Sequence, residues 1–426
     1  MRGMSVFATR ASALAVFLVL CLAPHFARAD FTVASILPEL PFGAHGVDAH
    51  DNVAYVVGDG VTAVNVADAD APRVINTLTD PDLRGCTSVA AYTTSRGKRL
   101  AVACSGSNSV VVVDASAPND GLRVLGVVQD DTALRGVSSV VVKETLAFVT
   151  AAKVQRVVSL DLSSDETPRI LSFVPLSAAD AVTLADEAHI AVGAGNSHGG
   201  GRVTVLSYVP SGVMMKVGSI KDGRLGGTFH GVSQFPANDK ISFAVTDANG
   251  GSVIVVNATT RARPTIAVGL QAQGRAAASA PLSEEDETDD ANAEWTPNGH
   301  RSLAGARAFA MASNRVAYVA SADTGTVVGI DATDLKRPLL SRIVSDTKLR
   351  GVSDICAQGG RTAAAAAGKA SAAPSGTGDE AEEPNTAPTT SGAVLFAVVP
   401  SGNRLVVLKD GGASSVVPTP NDNDEL

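Results

Sequence analysis

Short Val-rich runs recur along most of the chain, each closed by a small or polar residue and a turn. They come in pairs: AYVV with VTAVNVAD, LAVAC with SVVVVDAS, LAFVT with RVVSLDLS, HIAVG with RVTVLSY, ISFAV with SVIVVNAT, VAYVA with TVVGIDAT, and VLFAVV with RLVVLKD. Runs this short and β-branched, bounded by Gly, Asn, Asp and Pro, predict strands. No helical periodicity supplies the long crossovers that parallel strands need, so the strands are expected to be antiparallel. In five units the second run ends at Asn65, Asp114, Asp161, Asn257 or Asp331, and Pro72, Pro118, Pro168, Pro264 or Pro338 follows. Asp or Asn can bond its own following backbone and start a turn, and Pro blocks a further ladder strand.

A glycine precedes the first strand of most units. Gly85, Gly136, Gly227, Gly305 and Gly351 each have a Leu two residues earlier, and the spacing is 42 residues from Gly43 to Gly85, 51 from Gly85 to Gly136 and 46 from Gly305 to Gly351. Four strands with tight turns need about that length. The reading is an all-β, seven-bladed β-propeller. The last unit lacks a fourth strand, and an orphan run, Phe31 to Leu37, precedes the first unit. That run looks like the fourth-strand segment PRVINTL, so the N-terminal mature strand is expected to close the last blade and remove an open edge.

Unit one, AYVVGDGVTAVNVADADAPRVINTL, resembles the LVIVD-repeat family. Unit two, LAVACSGSNSVVVVDASAPNDGLRVLGVV, is similar to YVTN-type propeller repeats. The resemblance covers most of residues 40–410 and implies a propeller that is often secreted or surface-bound. It implies no single activity. Unit four departs from the pattern, with Ser207-Tyr208 for the usual Asp and Ala179-Asp180 where the glycine is expected.

Composition agrees with this picture and narrows it. Of 426 residues 45% are hydrophobic but only 4% aromatic, so the core must be Val, Ala, Leu and Ile. Residues 1–29 read as a signal peptide: Arg2 and Arg10, an apolar run from Ala11 to Ala23, then Ala27-Arg28-Ala29, with Asp30 as the first mature residue. No later stretch reads as a transmembrane helix. The propeller is expected over 30–410, with disordered insertions at 271–300 and 358–391 and an acidic tail at 411–426. These three low-complexity pieces carry -6, -2 and -3 of a formal net charge of -9, which becomes -12 once the signal arginines leave. The body is near neutral, which argues against nucleic acid or a polybasic membrane patch as partner. The last residues, Asn423-Asp424-Glu425-Leu426, resemble an endoplasmic reticulum retrieval signal with Asn at the basic position. The expected location is therefore the secretory pathway, extracellular or at the cell surface, with the reticulum lumen as the alternative.

Candidate chemistry is sparse. Cys86 and Cys104 would face each other across a hairpin turning near Thr94 to Gly97, as a disulfide or as two buried thiols. Cys356 is left over. Asn257-Ala258-Thr259 is a glycosylation sequon at a strand end. Gly195-Asn196-Ser197-His198-Gly199 matches the nucleophile-elbow pattern, but a further strand follows it where a helix is required. No histidine pair has zinc spacing, so no metal, cofactor or catalytic residue is assigned. Just before the first strand of five units stand His45, Arg84, Arg135, His230 and Arg350. Equivalent positions in a propeller ring the channel. These residues would form a basic collar above a mostly polar throat of Asp48, Thr87, Ser138, Val182, Ser233, Arg307 and Ser353, suited to an anionic small molecule or acidic peptide. The alternative is a structural repeat in which they bond neighbouring-blade carbonyls. The function read from these features is a monomeric, non-enzymatic protein- or ligand-binding module; the alternative is a lactonase-like hydrolase at the channel mouth.

Overall fold

The computed structural model describes residues 31–195, 201–222, 225, 229–237, 240–247, 252–271, 303, 305–312, 316–331, 339–358 and 393–410. Residues 1–30, the tail at 411–426 and the two insertions, apart from Gln271 and Gln358 at their edges, lie outside them. Among the described residues 28 strands form seven antiparallel sheets of four strands. Sheets 1 to 6 span 46–78, 86–129, 137–175, 179–222, 229–271 and 306–345, and sheet 7 combines 354–410 with Phe31–Leu37. Each pair of runs read from the sequence is an antiparallel pair at the centre of one sheet.

The first strand of each sheet packs against the first strands of its two neighbours, and Asp354–Ala357 of sheet 7 returns to Gly46–His50 of sheet 1. A ring of sheets packed side by side around their innermost strands is a β-propeller. The core is divided accordingly, with one buried apolar cluster between each sheet and the next. One leucine from the loop leading into each sheet seals each junction: Leu40, Leu83, Leu134, Leu176, Leu225, Leu303 and Leu349, all at most 6% exposed. Burying such a side chain stabilises by about 1.5–3 kcal/mol. The innermost strands approach closely. A Cβ on Gly46 would lie 2.6 Å from the Thr87 carbonyl oxygen of sheet 2.

The strand Phe31–Leu37 pairs with Arg404–Asp410, from Phe31 opposite Asp410 to Leu37 opposite Leu405, with Ala34 as an extra, unpaired residue. The outer strands of the other sheets carry the same single-residue bulge, at Ile75, Leu125, Leu171, Val217, Ala267 and Ser341. The N-terminal strand thus has the form of an outer strand in detail. Bulges add local twist and turn an edge away from stray pairing. The residue just past the bulge meets the loop of the next sheet. Ser35 Oγ donates to Ala69 O, Ser172 Oγ donates to Gly212 O, and Gly126 would clash with Asp165 O if it had a Cβ.

The turn chemistry follows the sequence. Asn65, Asp114, Asp161 and Asn257 each accept a hydrogen bond from the backbone N–H two residues on. Asp114 and Asp161 also hold Arg123 and Arg169 on the outer strand opposite. The glycines before the first strands have positive φ: Gly85 57°, Gly136 70°, Gly351 81°. In sheet 4 that position is Ala178, at φ 54°, not Ala179. A Cβ there costs about 1–2 kcal/mol.

Candidate functional site: the channel mouth

The loops that join one sheet's outer strand to the next sheet's inner strand cross one face from rim to centre. Three of them share a build: Asp80 to Gly85, Asp130 to Gly136 and Asp346 to Gly351. The opening Asp accepts from its own loop backbone, at Asp82 N, at Thr132 N and Ala133 N, and at Lys348 N. Its carbonyl accepts from the N–H of the buried leucine, Leu83, Leu134 or Leu349. Hydroxyl and backbone donors from Thr132 and Ala133 hold the Asp130 carboxyl below its ordinary range. The opening acids are thereby engaged in folding the loops, whereas Asp131 accepts from Asn108 Nδ2 at 2.8 Å and Asp82 stands two residues before Arg84. Between the anchored leucine and the positive-φ glycine stands an exposed arginine: Arg84, Arg135 or Arg350. Among the described residues none of the three guanidinium groups has an ion-pair or hydrogen-bond partner.

The expected five-residue collar does not share one register. Thr87 Oγ1 donates to Ser138 O (2.9 Å), Ser138 Oγ to Asp180 O (3.0 Å), and Ser353 Oγ to His45 O (2.8 Å). These bonds join like positions in neighbouring sheets, so His45 is the counterpart of Thr87, Ser138, Asp180 and Ser353. His230 is another counterpart, the unpaired residue of the bulge between Phe229 and Gly231, as Thr87 is between Cys86 and Ser88. The His230 side chain lies outside the described ones. The three arginines sit three residues earlier, on the loops. What the structure brings together is an arc over four consecutive sheets: Arg350 leading into sheet 7, exposed His45 on sheet 1, Arg84 into sheet 2 and Arg135 into sheet 3.

The polar throat is corrected as well. Thr87, Ser138 and Ser353 commit their hydroxyls to the next sheet's backbone, and the Ser233 side chain lies outside the described ones. Asp48 is 4% exposed and accepts from Ala91 N of sheet 2, as Ser88 Oγ does from Val140 N and Asp354 from Val47 N. Sheets whose backbones cannot pair with each other are laced by side chains instead. Sequence reading missed this lacing, although hydroxyls and Asp recurring at inner-strand starts were its signal. It also missed Asp180, whose carboxyl burial pushes up to about 6, offset in part by a bond from the Gly195 backbone.

Cys86 and Cys104 are joined as a disulfide, S–S 2.04 Å, both 0% exposed. It lies beside the Arg84 loop, where Ser105 N donates to Gly85 O at 3.0 Å. Cys356 is a buried thiol. Asn257 is half-buried, its side-chain oxygen held by Thr259 N at 3.0 Å and Thr259 Oγ1 at 2.7 Å. Ser197 lies outside the described residues, between strands His189–Ala194 and Gly201–Tyr208. An elbow requires strand-then-helix, so the surroundings do not match that motif. Among the described residues no helix is long and apolar enough to cross a membrane.

No protein-family model matches the chain, and no curated protein matches its sequence. Solved structures do match in shape. Hydrazine synthase of Kuenenia stuttgartiensis aligns with a TM-score of 0.57 at 11% identity, over 86% of this chain and 95% of that one. The β-propeller domain of Cps50 (Swd1) from Myceliophteria thermophila gives 0.53 at 11%, over 89% and 99%. Sqt1 of Saccharomyces cerevisiae gives 0.50 at 12%, over 90% and 99%. At such identities the likeness is one of fold, and the fold is that of a β-propeller.

Proposed function

We propose that this chain is a seven-bladed propeller of the secretory pathway that binds, without catalysis, an acidic peptide segment at its channel mouth. One observation carries the reading: three loops of the same build each hold an unpartnered, exposed arginine at the inner end of one face. Several other arginines are held by acids, as in Arg99 with Asp165, Arg123 with Asp114 and Arg261 with Asp186; exposed Arg73 and Arg263 are not, but they lie away from these loops. A guanidinium fork held by a rigid loop suits carboxylates. The disulfide supports an oxidising compartment.

The test is fluorescence anisotropy with a labelled oligo-glutamate peptide, using protein recovered from culture medium. Replacing Arg84, Arg135 or Arg350 by Ala should each weaken binding roughly tenfold, the size of a lost charged hydrogen bond. The triple variant should not bind. A triple variant that binds as the parent does would end this reading, and so would a parent that ignores the peptide. A medium fraction whose N-terminus is not Asp30 would end the exported part of it.

A further inference from the structure

The opposite face carries the turns between first and second strands and the loops between third and fourth. Around most of it, ion pairs bridge one sheet to the next: Lys98 to Asp51 (2.5 Å), Lys143 to Glu187 (2.8 Å) and Arg261 to Asp186 (2.6 Å). Between sheets 2 and 3 the pair sits deeper. Asp165 and Arg99 are each 5% exposed, with Asp165 Oδ2 taking Arg99 Nε at 3.0 Å. Arg99 is fixed in turn by Asp114 at 2.8 Å and Ser116 Oγ at 2.7 Å. Above this buried pair a cleft of about 280 Å³ stays open.

From these features we infer that the cleft between sheets 2 and 3 is a binding site for a neutral polyhydroxylated ligand, a single sugar residue. Its walls carry Arg96, Glu144 and Asp165 with Thr93, Thr145 and Ser163, of which Thr93 Oγ1 also meets His50 Nε2 at 3.3 Å and Ser163 also bonds Asp161, and no aromatic or wholly aliphatic residue lines it. An anion would meet two carboxylates, and a cation would meet Arg96 above and Arg99 below. Adjacent hydroxyls of a sugar match such a mixture, because carboxylates accept from neighbouring O–H groups while a guanidinium and hydroxyls donate back. Asp165 is the oriented acceptor: both guanidinium bonds go to Oδ2 and none of the described residues takes Oδ1. Arg96 is 65% exposed and 3.9 Å from Asp165, free to swing onto a ligand. The volume lies just below the range usual for ligand sites, roughly 300–1,000 Å³, so the cleft takes one ring rather than a chain.

Glucose, galactose, mannose and N-acetylglucosamine are the probes, read by saturation-transfer NMR and titration calorimetry on the whole protein. At least one should bind saturably with millimolar affinity. Arg96→Ala and Glu144→Ala alter exposed turn residues, so they should fold as the parent does by circular dichroism. Each should weaken binding about fivefold, the effect of one lost hydrogen bond. Arg84→Ala, on the other face, should leave it unchanged. The inference is overturned if none of the four sugars saturates below about 50 mM, far weaker than any millimolar site, or if both cleft variants bind as the parent does.

Discussion

Asp180 stands where its counterparts Thr87, Ser138 and Ser353 carry hydroxyls that donate to the next sheet. A carboxylate can only accept, so an ionised Asp180 loses hydration on burial with only the Gly195 backbone bond to offset it. Burial accordingly lifts its pKa to about 6, against about 3.9 in an unfolded chain. The folded protein therefore keeps this proton over a range where the unfolded chain has lost it. The resulting stabilisation is complete below pH ~4, declines as pH rises to ~6 and is absent above that. Asp180→Asn should flatten the fall in melting temperature across that interval and raise it at neutral pH. An unchanged slope would show that the group is not the source. At this scale the sequence was least informative. The arginines and histidines were visible, but their relative depth was not, because His45-Gly46 and His230-Gly231 mimic the Arg-Gly pairs of other units a few residues past the true entry glycines, Gly43 and Gly227.

Among elements, the strand pairs were legible because β-branched runs such as SVVVVD and RVVSLD fit only a pleated, buried surface. Turns were legible too, since Asp114 and Asp161 act through their immediate neighbours. The side-chain lacing between sheets was not, because it joins residues some 40 to 50 positions apart, as Thr87 and Ser138 are, in a geometry set by twist. The Cys86–Cys104 bridge closes 18 residues of sheet 2, and in sheet 3 the same paired position holds Val137 and Ala151. The site therefore tolerates small unbridged side chains. Replacing both cysteines by Ala should preserve the fold but lower unfolding free energy by about 3 kcal/mol, the chain-entropy value for such a loop. Dithiothreitol on the parent should shift the denaturation midpoint as far. An unmoved midpoint in both experiments would mean the bridge contributes nothing.

For the whole molecule, the decisive element is the strand Phe31–Leu37. Its likeness to Arg73–Leu78 was readable because both keep the outer-strand pattern, down to the bulges at Ala34 and Ile75. Without it, Arg404–Asp410 would present a bare ladder edge, and the cluster packed by Phe31, Val33 and Ile36 would open. Deleting residues 31–37 should convert a monomer into higher species on size-exclusion chromatography, since an unpaired hydrophobic edge recruits other chains. A soluble monomer with the parent's melting temperature would contradict that role.

Because Phe31 lies directly across a ladder from Asp410, the two ends of the described chain leave the ring side by side. The seam is thus a place on a circle rather than a boundary of the fold. A few linking residues could fuse those ends, and a cut in another loop could move the opening to a different sheet with the same bonds retained. Whatever continues from Phe31 and from Asp410 therefore departs from one place on the ring.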